Sequence, residues 1–492
     1  MASERDHNRA QALCRCRERG IVIPTFAQMR DPASMPQEVA ARLLHVDMQT
    51  TDPLNLFRIT WKNDVQTGGF GAVNALALPP ALTGVPARIV GLVGRHFPTG
   101  AHKVGAAFGC LVPHLVTGGF DPTRHRAVWP STGNYCRGGV FDCALLGCQA
   151  VAILPEGMSH ERFAWLRSLG AEIIATPGCE SNVKEIFDAC WRLRASAPDA
   201  VIFNQFEELG NYLWHFAVTG AAAEEAVSDL LQRGARLAGW VSATGSAGTL
   251  AAGDYLKQRH PGSFIAASEA LQCPTLLRTG FGAHRIEGIG DKHVPWIHNA
   301  RNTDAVVAID DEAAMRVFRL FNDDAGRETL VRRGVAIETV DRLGLMGISS
   351  VCNALSAIKL AKYFELDDRD VVLTVFTDSA EMYRSRLSEL TAERGKYASS
   401  QAEIDFERRV LGAATDSMRE LTYPERKALH NLKYFTWVEQ QGKTVAELDA
   451  LWSPAFWQEV AARLPEWDAA IATFNAESGA LDTVRSRIGF EK

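Results

Sequence analysis

The 492-residue chain has no apolar run long enough to cross a bilayer, so nothing in it predicts a membrane span. Its first twenty residues, MASERDHNRAQALCRCRERG, lack an apolar signal core; secretion is not expected and a cytoplasmic location is. Positive charge is not in excess either. Fifty-two Lys and Arg stand against 58 Asp and Glu, a formal net charge of −6, which gives nucleic acid or an anionic membrane no handle. There is no internal repeat, no low-complexity tract and no GxGxxG fingerprint on a strand–helix turn, which argues against dinucleotide binding. The remaining composition, 47% hydrophobic and 22% charged, is that of an ordinary globular protein, too long for one compact core. Two or three lobes are expected.

The ten cysteines are scattered, and Cys110, Cys143, Cys148 and Cys352 lie in apolar stretches. They read as reduced core thiols, not as a disulfide framework. Cys14 and Cys16 form a C-x-C with no second pair, so no zinc site is expected.

From about residue 87 to 385, short apolar runs alternate with helix-length segments. Strands are expected at 87–93, 127–131, 149–155, 171–177, 200–205, 237–243, 263–269 and 371–377, and helices at 159–169, 181–196, 210–232 and 350–364. Such alternation implies an α/β fold with mostly parallel sheets covered on both faces, here two α/β lobes around a shared cleft. Beyond about 386 the β-rich runs stop. Trp437, Trp452, Trp457 and Trp467 then mark a folded helical appendage, suited to packing, to a dimer contact or to a lid. The division expected is an N-terminal extension (1–60), a catalytic core (61–385) and a helical C-terminal extension (386–492).

Four segments carry candidate chemistry. Lys103 ends the stretch Phe97-Pro98-Thr99-Gly100-Ala101-His102-Lys103 at a strand-to-helix junction. That placement suits an amine that holds an aldehyde as a Schiff base, and equally an exposed helix-start lysine. Ser131-Thr132-Gly133-Asn134-Tyr135 follows a strand and precedes an apolar helix, where exposed N–H groups and the helix dipole suit a carboxylate; an ordinary N-cap reads the same way. Gly245-Ser246-Ala247-Gly248-Thr249 has the architecture of a small phosphate cradle without the lysine of a triphosphate loop. Thr377-Asp378-Ser379 closes a strand and is either a helix cap or a partner for a ligand's ring nitrogen. One ligand unites them: pyridoxal 5'-phosphate, with an aldehyde for Lys103, a phosphate for 245–249 and a ring nitrogen for Ser379.

The ordered segments also resemble the cysteine synthase and cystathionine β-synthase family of fold-type II pyridoxal-phosphate enzymes. The resemblance rests on Pro155 to Arg162, Leu169 to Glu172, Gln205-Phe206-Glu207 with Asn211, His215, Thr219 and Gly220, His284 to Gly290, Gly347 to Ser350, and Asp378-Ser379 with Tyr383. It implies that Lys103 forms the internal Schiff base and shuttles the substrate's Cα proton, and that Asn134 bonds the cofactor's ring oxygen. By the same resemblance Ser131, Thr132, Gly133, Tyr135 and Gln205 hold the substrate α-carboxylate, Gly245, Ser246, Ala247, Gly248 and Thr249 grip the phosphate, and Ser379 faces the pyridine nitrogen. It further implies a homodimer and an amino-acid substrate. The activity implied is β-replacement or β-elimination on a β-substituted L-amino acid through an aminoacrylate.

The chain departs from that family in places. Thr99 to Lys103 looks like the TGAHK of tryptophan synthase β-subunits, although the other loops do not follow it. Tyr135 stands where threonine is common, and Asp291-Lys292-His293 follows the GIG segment, either as a solvated loop or as recognition for a polar distal group. The alternatives are a serine- or threonine-dehydratase-like deaminase or diaminopropionate-type ammonia-lyase, and a catalytically silent amino-acid-binding homologue.

Overall fold

The computed structural model describes residues 2–131, 133–178 and 182–489. Its strands in chain order are β1 (Ala75–Leu78), β2 (Arg88–Val93), β3 (Arg126–Pro130), β4 (Gln149–Pro155), β5 (Glu172–Thr176), β6 (Ala200–Ile202), β7 (Arg236–Ala243), β8 (Phe264–Ala270), β9 (Ala305–Ile309), β10 (Asp370–Phe376) and β11 (Met418–Glu420). They form two sheets. The larger has the order β1-β2-β10-β7-β8-β9-β11 and the smaller β5-β4-β3-β6. The small sheet is parallel throughout, as are the inner pairs of the large one, and β1 and β11 run antiparallel at its two edges. All seven residues of β10 and all five of β9 are buried, as continuous apolar runs in helix-covered parallel sheets must be.

The eight strands expected from sequence are β2 to β8 and β10. β1, β9 and β11 were not anticipated. β11, Met-Arg-Glu, has no apolar pattern and is made a strand only by pairing with β9, so the region after 386 is not wholly helical. The long helix expected at 210–232 is present: it runs without a break from Leu209 to Ala226, widening to a π-turn at His215–Thr219, and is interrupted at Val227 before a last turn at Ser228–Gln232.

The chain crosses from large to small lobe through helix Lys103–Val116 and returns through the helices after Leu209. These helices meet backbone to backbone: a Cβ on either Gly109 or Gly210 would overlap the other glycine's carbonyl group. That close approach brings the start of the outgoing helix beside the residues that precede the returning one.

The two ends of the chain pack together. Helix Ala2–Arg19 lies against helices Leu464–Ser478 and Ala480–Gly489, with Arg17 Nε donating to the Ser478 carbonyl (2.7 Å) and Asn475 Nδ2 to that of Ile23 (2.7 Å). Ala12, Phe26, Ile471 and Phe474 share one apolar core with Val104, Phe108 and Trp129. The tail also docks by Trp437, fully buried among Phe187, Trp296 and His293, its indole N–H donating to the Val294 carbonyl (2.9 Å). The nine described cysteines are all free thiols.

Candidate active site between the lobes

The four chemistry-bearing segments follow the carboxyl ends of β2, β3, β7 and β10, the rim at which open α/β sheets bind ligands. Lys103, Ser131, Asn134, Tyr135, Gln205, Gly245 and Ser246 line one narrow cleft, with a cavity volume of about 20 Å³, together with Phe206, Gly288, Gly290 and Thr377. Thr132 lies outside the described residues.

Lys103 opens its helix, and its Nζ donates to Ser246 Oγ (3.0 Å) and Gln205 Oε1 (3.3 Å). Both acceptors are neutral, and among the described residues no carboxylate pairs with the amine. Removal from water therefore dominates and brings its pKa down to about 8. Asn211 Nδ2 fixes the same serine (3.0 Å) and the Gln205 carbonyl (2.9 Å), tying the phosphate-loop candidate to the carboxylate side.

The 245–249 turn precedes helix Leu250–Arg259, and its backbone N–H groups have no acceptor among the described residues. Ala247 sits at φ 63°, a left-handed conformation that costs a non-glycine residue about 1 kcal/mol or more and turns the loop. Gly248 packs so closely on the Asn211 amide that a Cβ would overlap it. Ser242 and Thr249 hydroxyls are bonded to each other (2.5 Å). Glycines that bring backbone onto an anion, unspent N–H donors and a helix N-terminus together fit a phosphate.

In the carboxylate candidate, Ser131 Oγ accepts from the Gly133 N–H (3.0 Å) and from Gln205 Nε2 (3.4 Å). Tyr135 contributes to the cleft wall, but its hydroxyl donates to the Phe203 carbonyl (3.2 Å) and its ring packs edge-on against Trp129. Asn134 Nδ2 donates to Asp378 Oδ2 (2.6 Å), and its buried Oδ1 has no partner among the described residues. Ser379 Oγ is likewise buried and unpartnered, the state expected of a hydroxyl that waits for an acceptor in a ligand.

His102 faces away from the cleft, in a fully buried stack with Trp61 and His215, and burial pushes its pKa well down. Of the Asp291-Lys292-His293 segment only Lys292 is exposed. Asp291 pairs with His293 Nδ1 (2.7 Å), and that imidazole is enclosed by Phe187, Phe206 and Trp437. Phe206, Gly288 and Gly290 are cleft residues to which sequence reasoning gave no role. The signal for them lay in the Gln205-Phe206 and GIG segments themselves.

A desolvated lysine between two α/β lobes, facing a turn of free N–H groups and two orphaned polar side chains, defines an enzyme site for a phosphorylated aldehyde cofactor. The chain belongs to the pyridoxal-phosphate dependent enzyme family, whose model matches residues 94–378, and its cofactor is pyridoxal 5'-phosphate. It is 26% identical over 318 residues to cystathionine beta-synthase of Saccharomyces cerevisiae, covering 63% of this chain and 59% of the yeast protein. The chain thus spans less than two thirds of that relative's length. To cysteine synthase B of Campylobacter jejuni it is 31% identical over 244 residues, 49% of this chain and 72% of that one. Among solved structures, an O-acetylserine dependent cystathionine beta-synthase from Helicobacter pylori superposes with a TM-score of 0.54 at 24% identity, covering 64% of this chain and 95% of that one; this likeness establishes the fold-type II architecture.

Proposed function

We propose that the protein carries out β-replacement, with β-elimination as the competing outcome, on a β-substituted L-amino acid. The observation that carries this reading is the placement of Lys103 Nζ between Ser246, on the phosphate-loop candidate, and Gln205, beside the carboxylate-loop candidate. The relatives named cysteine synthase and cystathionine beta-synthase support it, and they make O-acetylserine a substrate to test first.

Pyridoxal phosphate, when bound, supplies an aldehyde for amines and a ring that draws electrons from the substrate's Cα. The chain's own residues do the rest. Residues 245–249 hold the phosphate by backbone N–H groups, and Asn134 and Ser379 contact the ring. Ser131, Gly133 and Gln205 orient the α-carboxylate, with Tyr135 shaping the wall. A pKa near 8 leaves Lys103 able both to attack as a free amine and to accept or return the Cα proton near neutral pH. A neutral hydroxyl at Ser379 does not keep the ring nitrogen protonated as a carboxylate would, which favours loss of a β-substituent over transamination.

The proposal extends to a cytoplasmic homodimer, the free thiols suiting a reducing compartment. Light scattering of the purified protein tests the assembly. The test of the chemistry is an absorbance screen of the cofactor-loaded protein against O-acetyl-L-serine and other β-substituted amino acids, with and without thiol or amine nucleophiles. A new amino acid formed only when a nucleophile is present supports replacement. Ammonia and a 2-oxo acid under every condition would make it a deaminating lyase.

A further inference from the structure

The segment Pro155 to Arg162 belongs to the small lobe, yet Tyr383 and the start of helix Arg384–Arg394, both of the large lobe, hold it at several points. Arg386 Nη2 donates to the Gly157 carbonyl (2.8 Å), and Ser385 donates to Glu161 through its backbone N–H (3.0 Å) and its hydroxyl (2.8 Å). Arg162 is the centre of this contact. It is fully buried, and its guanidinium reaches Glu287 Oε2 (3.3 Å) through one nitrogen and the Tyr383 hydroxyl (3.0 Å) through another. Tyr383 in turn donates to Asp378 Oδ2 (2.6 Å), the oxygen that also receives Asn134. Glu287 is shared with Arg386 (2.5 Å), so one buried carboxylate sits between two guanidinium groups.

The other face of Arg162 lies against Gly133, where a Cβ would overlap the guanidinium. The arginine is therefore pressed on the backbone of the carboxylate-loop candidate while bonded to the opposite lobe. A guanidinium suits this role because its planar fork donates to the Tyr383 hydroxyl through one nitrogen and ion-pairs with Glu287 through another, while its flat face packs on backbone. Left unpaired at this depth it would be costly, so the arrangement holds only while both lobes are engaged.

We propose that Arg162 is a positioning residue for the substrate carboxylate: through Glu287 and Tyr383 it holds the 131–135 loop against the large lobe, so that the carboxylate site is complete only when the lobes are latched. This rests on the proposed function, in that it takes the 131–135 loop as the carboxylate site. Arg162 itself does not line the cleft.

The test titrates cofactor-loaded wild-type protein and R162M with L-alanine, which carries an α-carboxylate, and with ethylamine, which does not, following the cofactor's visible absorbance. Wild type should favour L-alanine by at least about tenfold, the worth of one charge-assisted hydrogen-bonded site. R162M should lose most of that preference while its ethylamine affinity moves less than about twofold. Y383F, which removes the hydroxyl that joins Arg162 to Asp378 and leaves the ion pair with Glu287, should lose part of it, and R162K should recover part. In cofactor-free protein, amide hydrogen exchange around Gly133 should be faster in R162M. An unchanged preference in R162M overturns the proposal, and so does a parallel loss of both affinities, the mark of a purely structural residue. Should R162M fail to fold by circular dichroism, R162K and Y383F decide on the same ratio. A wild-type protein without preference for L-alanine sinks the carboxylate-site reading itself, an outcome separate from failure of the latch.

Discussion

Lys103 and Lys433 are both stripped of water, and their surroundings differ in what they leave unspent. Lys433 ends the tail helix Tyr423–Lys433 with no exposed surface, and its ammonium donates to the backbone carbonyls of Trp296 (2.8 Å) and His298 (2.6 Å). Burial pushes its pKa well below the usual lysine value, as it brings that of Lys103 to about 8. No carboxylate offsets either charge in the described residues. Lys433, however, binds fixed carbonyls of a packed loop beside His298, His430 and Trp437, whereas Lys103 faces a cleft with free N–H groups and orphaned side chains. Desolvation alone thus makes a lysine less basic. It makes a candidate reactive lysine only where the amine borders a cleft and unused hydrogen-bonding capacity surrounds it.

The largest separation of the two regions comes from Lys103→Ala, which should lower turnover by at least about a thousandfold with little change in melting temperature. Steady-state kinetics and thermal unfolding of the same preparation check both halves, and near-normal turnover would remove Lys103 from the mechanism. The reverse pattern is expected at the tail. Trp437→Ala should cost about 3–5 kcal/mol in urea unfolding, from lost burial and an unfilled cavity. Activity per folded molecule should fall far less than in the lysine variant.

The pH dependence of stability sharpens the comparison. A lysine whose folded pKa is depressed binds fewer protons folded than unfolded, so stability rises with pH between the folded value, about 8, and the unfolded one, about 10.4. In cofactor-free protein Lys103 should contribute a rise of up to about 3 kcal/mol across that window, less where water reaches the amine. Lys103→Met should flatten that part of the curve and leave the contribution of Lys433, and urea titrations at pH 7.5 and pH 10 measure the difference. The smallest effect is expected from Gly248→Ala, whose new Cβ must displace the Asn211 amide; affinity for pyridoxal phosphate should drop about tenfold, or about 1.4 kcal/mol. Unaltered cofactor binding in that variant would take the 245–249 turn out of the phosphate site.

Much of this was legible in the residue order. Eight of the strands announce themselves as Val-, Ile- and Ala-rich runs, because parallel strands covered on both faces need side chains apolar throughout. The glycine turns and small hydroxyl residues at their carboxyl ends gave the site its candidate members. β11 was not legible, since a Met-Arg-Glu edge is a strand only by virtue of its partner β9. Nor was the fate of particular polar atoms. The Tyr135 hydroxyl is taken by the Phe203 carbonyl and the Asn134 amide nitrogen by Asp378, bonds to residues 68 and 244 positions away.

The order of residues by itself determined the class of chemistry: a lysine, a glycine-rich turn, a candidate carboxylate loop and a terminal serine, each placed where a parallel strand ends. Only the tertiary structure decided that Lys103 borders a cleft and Lys433 is locked, that Asp291 and His293 turn inward while Lys292 stays out, and that Arg162 joins the two lobes beside Gly133. The physical reason is that basicity and hydrogen-bond supply depend on which distant groups crowd a side chain and exclude its water, and local sequence does not encode that proximity.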